Sequence, residues 1–372
     1  MNEIYLDYSA STPLLPQVKE KLISVLDIYA NPSSLHAAGI QASVLIDEAK
    51  ENIAKRLQCA PDELYFTSGA TMSNNQAIQG FIKSHPTCNI ITSSIEHDDI
   101  YLILQNYPRN SQYYISCDKN GLLDIGHLRN TLEKLKGSKK PVLVSIQWAN
   151  NEMGVIQDMK TICNIIKSYS NTYIHTDATQ AVPYISMNMN SLNIDMLSCS
   201  AQKIGGLKGT GLLFVRRGID LSSIIYGDQG LIGGTENVPG IVCMGEAFKC
   251  LDYFHNQDLL KKVNKLFNEL KDYGILVGSF DNRLPNNLNM IFEGISGEEL
   301  QALLSEFGIY VSTGSACSSH IDEPSRTLTA LGYTSEQANS SIRFSIGKNI
   351  TDEEIIYVSN VTKHCIDMLR NK

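Results

Sequence analysis

The sequence has no Cys-x-x-Cys pair, no basic tract, no internal repeat and no low-complexity stretch. No apolar run reaches the length of about 18 residues that a membrane span needs. Its nine cysteines are scattered and odd in number. That argues against a disulfide framework or a zinc site and for a reducing compartment, so no metal is expected and a cytoplasmic location is. The net charge is -8 without any cluster of Lys and Arg, which argues against nucleic acid as the main ligand. The opening residues, Met1 to Asp7, are acidic and strand-like, unlike a secretory leader. What remains is an ordinary globular composition, 43% hydrophobic and 19% charged over 372 residues. That length suits one large domain and one smaller one.

Several short apolar stretches read as buried strands, each ending in a polar cluster. Residues 63–67 run into Ser68-Gly-Ala-Thr71, and residues 88–94 into Ile95-Glu-His-Asp98. Residues 141–148 end at Ala149-Asn-Asn-Glu-Met-Gly154, and residues 173–180 carry Asp177 near their end. Residues 193–199 lead into Ser200-Ala-Gln-Lys203, and another strand follows at 211–215. Stretches with helical periodicity cover 16–29, 41–57, 73–83 and 159–168. Strands alternating with helices predict an α/β chain whose large domain has a mainly parallel, doubly wound sheet flanked by helices. Ligands in such sheets sit beyond the carboxyl ends of the strands. His97, Asn151, Asp177 and Lys203 all fall at such ends. The character changes after about Val242. Helices at 245–255, 258–273, 297–307 and 352–370 with strands at 286–292 and 341–346 predict a small α+β domain. The expected division is 14–255 against 1–13 with 256–372.

Lys203 stands between small hydroxyl residues and a glycine-rich turn. Held rigidly and partly desolvated, its amine is a nucleophile able to form a Schiff base. The plain alternative is a surface lysine. An aspartate one helix-and-strand unit earlier, Asp177, completes the pairing of a pyridoxal phosphate enzyme, a carboxylate set against the pyridinium nitrogen. Gly69, Ala70 and Thr71 at a strand–helix junction point backbone N–H groups at an anion such as the phosphate, and Ser200 adds a hydroxyl. His97 suits stacking on the ring. Gln180 and Asn151 are neutral donors for the phenolic oxygen or the substrate. Each has a plainer reading: Asp177 as a helix N-cap, His97 as a loop histidine. Arg343, on an apolar strand, needs a partner. Either a substrate carboxylate gripped by the guanidinium fork or an internal salt bridge would serve. Cys317 lies in Thr313-Gly-Ser-Ala-Cys-Ser-Ser319, a small, hydroxyl-rich stretch. A thiol there is accessible and reactive, where most cysteines are buried hydrophobes.

These residues together resemble the cysteine desulfurases of the NifS/IscS type, in the class V aminotransferase superfamily. The likeness runs from Tyr5-Leu-Asp7 and Asn31-Pro-Ser-Ser-Leu-His36 through Phe66-Thr-Ser-Gly-Ala-Thr71, Glu96-His97 and Asn150-Asn-Glu-Met-Gly154. It continues through His175-Thr-Asp-Ala-Thr-Gln180, Lys203, Gly234-Thr-Glu-Asn237, Arg283-Leu-Pro-Asn286, Gly314-Ser-Ala-Cys317 and Ser341-Ile-Arg343. The resemblance implies a fold type I enzyme with pyridoxal 5'-phosphate on Lys203, Asp177 at the ring nitrogen, His97 on the ring face and Gln180 at the phenolic oxygen. It implies that Thr71, Ser200 and Thr235, the last from the neighbouring subunit of a homodimer, hold the phosphate, beside Ala70 of the same turn. Asn151 and Arg343 would bind L-cysteine. Lys203 would move the Cα proton, and Cys317 would take the sulfur as a persulfide. An acceptor protein, an iron–sulfur scaffold or a tRNA-thiolation enzyme, would receive it. Selenocysteine lyase, another C–S lyase and a low-activity sulfur-pathway binding protein are the alternatives. The chain departs from the family pattern at Gln202, where histidine is usual, and at Ile232, near the usual arginine. Met72 replaces a common glutamate, and Gly206-Leu207 the usual Gly-Pro.

Overall fold

A computed structural model describes residues 3–227, 230–253, 255–314 and 323–371. Cys317 lies outside them. Among the described residues the strands are, in chain order, β1 (Ile4–Tyr5), β2 (Leu64–Thr67), β3 (Asn89–Ser93), β4 (Gln112–Ile115), β5 (Val142–Ser145), β6 (Thr172–Asp177) and β7 (Met196–Ser200). They continue with β8 (Gly211–Val215), β9 (Ile275–Leu276), β10 (Asn287–Ile291), β11 (Ile309–Tyr310), β12 (Ser312–Thr313) and β13 (Ser341–Ser345).

β5 reads Val-Leu-Val-Ser, and every one of its residues is buried. A strand buried on both sides belongs in the middle of a sheet covered on both faces. Alternation then sends neighbours to opposite faces. Val142 and Val144 join one core with Leu128, Leu132, Met159 and Ile162. Leu143, between them, joins the other with Ala77, Ile78, Phe81 and Ile103. The helices Ile125–Leu135 and Met159–Lys167 therefore cover one face, and Ala70–Ser84 and Asp98–Gln105 the other.

The sheet has seven strands in the order β2-β8-β7-β6-β5-β3-β4. The pairs from β4 through β3, β5 and β6 to β7 are parallel. β8 runs antiparallel to both β7 and β2. The mainly parallel sheet expected from the sequence is present, with this one reversal. The link from β7 to β8 holds only a short 3-10 turn, Ala201–Lys203, and loop. A parallel return needs a crossover of a dozen or more residues, so the chain doubles back instead. Lys203 sits in that turn.

A second, antiparallel sheet has the order β12-β13-β10-β9. The helices Asn256–Leu270, Gly297–Glu306 and Asp352–Arg370 build its core, with Leu266, Leu300, Ile355 and Ile366 inside. Ile4 and Leu6 join the same core, because β1 pairs with β11 and Ser345 N donates to Leu6 O.

Helix ends differ from the sequence reading where caps decide them. The expected 41–57 helix begins earlier, at Ala37, because the His36 ring accepts from Gly39 N. The expected 245–255 helix is instead Val238–Lys249. Asn237 caps it by accepting from Gly240 N, and Pro239 fits its first turn. This helix packs on Ala37–Leu57, with Gly245 so close to Ala49 that a Cβ would stand 2.7 Å from its Cα. The compositional change near Val242 therefore does not leave the first core. Strand β4 and the helices Asp98–Gln105 and Ile125–Leu135 are not among the elements expected from the sequence.

Where β8 begins, a Cβ on Gly211 would stand 2.4 Å from the carbonyl carbon of Gly69. Only glycine allows the strand to pass under the 68–71 turn. Gly211→Ala should cost about 1–3 kcal/mol of stability through overpacking. Urea denaturation measures it, and an unchanged midpoint would contradict the close approach.

Candidate active site

At the carboxyl edge of the parallel strands lies a cavity of about 450 Å³. Lys203 and Gln202 from the β7–β8 turn, Ser200 at the end of β7 and Asp177 at the end of β6 reach it. So do Gln180, Asn151, His97, Ala70 and Thr71 from neighbouring strand ends and loops. Arg343 enters from β13 of the other sheet, and Ser9 and Ala10 from the first segment of the chain. Thr235 does not line this cavity. It borders an adjoining one, which shares Ser68 and Met72 with the first.

Lys203 is half-buried, not a surface lysine. Its Nζ donates to the carbonyls of Ser9 and Ala10, both at 2.6 Å. Thr12 closes the same corner. Its N and Oγ1 donate to Gln202 O at 2.9 Å each, and its Oγ1 accepts from Gly205 N at 2.8 Å. The 9–12 segment thus anchors the lysine turn, and Gln202 Nε2 adds a long contact to Ala10 O at 3.4 Å. Gln180 Nε2 donates to Ser9 O at 2.8 Å.

Asp177 is buried. Its Oδ1 accepts from Thr179 N at 2.9 Å and its Oδ2 from Asn74 Nδ2 at 2.9 Å. It caps no helix. Burial pushes its carboxyl above the ordinary range, and the charge of Asp99 pushes the same way. Burial also works against ionised Asp99, but hydrogen bonding and charge from His97, with Asn74, outweigh it and hold that group below its ordinary value. His97 Nδ1 lies 3.0 Å from Asp99 Oδ1, an ion pair whenever the ring is protonated. The ring also caps the helix Asp98–Gln105, accepting from Asp99 N at 3.3 Å.

Arg343 is almost fully buried, and the internal salt bridge is present. It lines the cavity, and its Nη2 donates to Asp7 Oδ1 at 2.7 Å while Nη1 donates to Asn151 O at 2.9 Å. Its Nε is buried without a hydrogen-bond partner. Ala70 and Thr71 open the helix Ala70–Ser84, where first-turn amides have no intrahelical acceptor. Ser200 is buried at the end of the neighbouring strand.

The sequence reading missed Asn74 and Asp99. Asn74 stands on the buried stripe with Ala77, Ile78 and Phe81, where the helical period calls for an apolar residue. A polar residue at such a position is the signal that would have found it. Two further buried carboxylates brace the strand ends. Both oxygens of Glu96 accept from Gln147 N, at 3.0 and 2.9 Å, and Ser93 Oγ donates at 2.5 Å. Glu152 Oε2 accepts from Ser325 Oγ at 2.5 Å, and burial pushes its carboxyl up.

Pyridoxal phosphate fits this residue set. One end offers first-turn amides and hydroxyls for a phosphate. The other offers a buried carboxylate that lacks a cationic partner strong enough to offset its burial, with a lysine in the same cavity. The buried Ser9 Oγ and Arg343 Nε, both on lining residues, have no protein partner. Buried polar atoms are normally paired, so these suit a polar ligand.

Burial raises the Glu96 carboxyl from 4.5 to about 8. An acid raised in this way contributes stability that is present in full below 4.5 and is lost as pH rises toward 8. Glu96→Gln should flatten that decline. Melting temperatures taken across the interval check it, and a variant curve parallel to the wild type would contradict it.

The class-V aminotransferase family model matches residues 4–358. The cysteine desulfurase IscS of Dictyoglomus turgidum is 38% identical over 390 aligned positions, which cover 99% of this chain and 95% of that protein. Among solved structures, a NifS-like protein has a TM-score of 0.89 at 32% identity, covering 99% of this chain and 100% of that one. SspA in complex with cysteine has a TM-score of 0.78 at 31% identity, covering 93% of this chain and 99% of that one. By sequence and by fold, the chain belongs to the class-V aminotransferase family, in the branch of the IscS-type cysteine desulfurases.

Proposed function

We propose that this protein is a pyridoxal phosphate-dependent cysteine desulfurase, which takes sulfur from L-cysteine and leaves L-alanine. The observation that carries the reading is the convergence of Lys203, Asp177 and Arg343 on one cavity at the carboxyl edge of the sheet. The IscS relatives and the cysteine complex of SspA support it.

Bound at this site, pyridoxal phosphate supplies an electron-withdrawing ring that stabilises negative charge on the substrate Cα. The protein's own groups do the rest. The amides of Ala70 and Thr71 and the Ser200 hydroxyl bind the phosphate. Asp177 keeps a proton on the ring nitrogen, which also satisfies its buried charge. His97 covers the ring face, and Gln180 and Asn151 meet the phenolic oxygen and substrate. Arg343 takes the carboxylate of cysteine through its guanidinium fork, in exchange with or alongside Asp7. The Lys203 amine removes the Cα proton and returns a proton to the product. Cys317 is placed by the sequence alone. Its thiolate attacks the substrate sulfur, an S–S bond forms and the C–S bond breaks. The electron pair of that bond, with a proton, ends on the carbon that becomes the methyl group of alanine.

The finer reading is a cytoplasmic homodimer, divided as 14–255 against 1–13 with 256–372, that passes its persulfide to an iron–sulfur scaffold or tRNA-thiolation enzyme. The core under the second sheet, which gathers Ile4 and Leu6 with residues from Leu259 to Leu369, supports the division, and a smaller cluster of Ile95, Met153 and Val155 with Val277, Ile291 and Leu328 joins the two parts. Ile23, Leu26, Tyr29, Leu35, Ile40 and Val44 are exposed along one stretch of chain, which supports a second copy covering them. Thr235, beside the adjoining cavity, would then complete the partner's phosphate site. No helix among the described residues is long and apolar enough to cross a membrane.

With L-cysteine, the reconstituted protein should release alanine and carry one extra sulfur on Cys317, seen by mass spectrometry. Cys317→Ala should lose the added sulfur and at least about 100-fold of sulfide release. Full turnover in that variant sinks the persulfide route. Histidine titrates near neutral pH and glutamine does not. Gln202→His should therefore raise the rate of the proton-transfer steps or leave it unchanged in stopped-flow absorbance. A clear fall would mean that the contacts of Gln202 with the 10–12 segment matter more than its proton chemistry.

A further inference from the structure

Asn74 is fully buried and does not line the cavity, yet its single amide nitrogen serves two carboxylates. Nδ2 donates to Asp177 Oδ2 at 2.9 Å and to Asp99 Oδ2 at 3.1 Å. An amide has two N–H groups, so each carboxylate receives one. Two carboxyl oxygens facing the same amide also fix its orientation, because only the nitrogen end brings a donor for each. That carbonyl, Oδ1, is buried without a partner. A buried acceptor left unsatisfied costs about 1–3 kcal/mol. An apolar side chain at this position of the stripe would avoid that cost. The amide therefore needs a reason to be there, and the two carboxylates are the reason.

The helix that carries Asn74 gives the arrangement its function. Ala70–Ser84 begins at the turn assigned to the phosphate, and Asn74 follows Thr71 by three residues. That is about 4.5 Å along a rigid axis. One end of the helix thus meets the phosphate, and a side chain within its second turn holds the carboxylate assigned to the ring nitrogen. Asp99 extends the same linkage to His97, whose Nδ1 lies 3.0 Å from its Oδ1. Phosphate cradle, ring-edge carboxylate and ring-face histidine are joined through one amide.

We propose that Asn74 is a positioning residue of this site. It sets the span between the phosphate-binding turn and the Asp177 carboxylate, and through Asp99 it fixes the ring of His97. It acts through these groups and touches neither cofactor nor substrate. The proposal rests on the reading that Asp177 faces the ring nitrogen.

The test is a double-mutant cycle on the cofactor-reconstituted protein. It reads the rate of pyridoxal phosphate release and the pH midpoint of the bound cofactor's visible absorbance. Asn74→Ala should release the cofactor about tenfold faster. The midpoint should move by about half a pH unit or more, because the charge at the ring nitrogen is no longer held in place. In the Asp177→Asn background, Asn74→Ala should change release less than about twofold, since its effect passes through Asp177. Asn74→Ser, with one donor for two carboxylates, should fall between wild type and alanine and serves if the alanine variant does not fold. Release and midpoint equal to wild type, or equal effects of Asn74→Ala in both backgrounds, overturn the proposal. If Asp177→Asn by itself leaves release unchanged, the reading of Asp177 fails and the inference falls with it.

Discussion

A carboxylate buried at the edge of a sheet must be satisfied, and the site depends on how Asp177 meets that demand. Two donors from the protein, Thr179 N and Asn74 Nδ2, hold both its oxygens. Burial and the nearby Asp99 still push it toward the neutral form. A ligand that brings a positive N–H to this carboxylate gains from completing it, and water cannot supply that charge. That imbalance is why the proposed function sets a protonated ring nitrogen against Asp177.

The fold places the remaining groups by simple means. Parallel strands bring their carboxyl ends to one edge, so residues far apart in sequence arrive together. The β7–β8 link is too short to cross over, and the resulting tight turn holds Lys203 half-buried. The 9–12 segment supplies carbonyls to the lysine amine, and β13 carries Arg343 in from the second sheet. Through Arg343, with partners Asp7 and Asn151, the second sheet meets the loop after β5 at the cavity. The cavity thus takes its lining from both sheets.

Much of this was legible in the sequence, for physical reasons. Short apolar runs ending in polar clusters give away parallel strands and their functional ends, which is how His97, Asn151, Asp177 and Lys203 were found together. Asn74 and Asp99 were not, because each acts through another residue and shows itself only as a polar side chain in a buried place. The reversal of β8 was hidden because strand direction depends on the length of a connection. The helix at Val238–Lys249 was misplaced because its cap, Asn237, lies in a glycine-rich stretch that reads as loop. Arg343 was read as a choice between substrate and salt bridge, and a guanidinium has enough donors for both.

The most direct measurement of the central claim is the address of the cofactor. Pyridoxal phosphate is added to the purified protein, borohydride reduces any lysine adduct, and peptide mapping locates it. The account predicts a stoichiometric phosphopyridoxyl group on Lys203. A label spread over surface lysines, or none on Lys203, would contradict it.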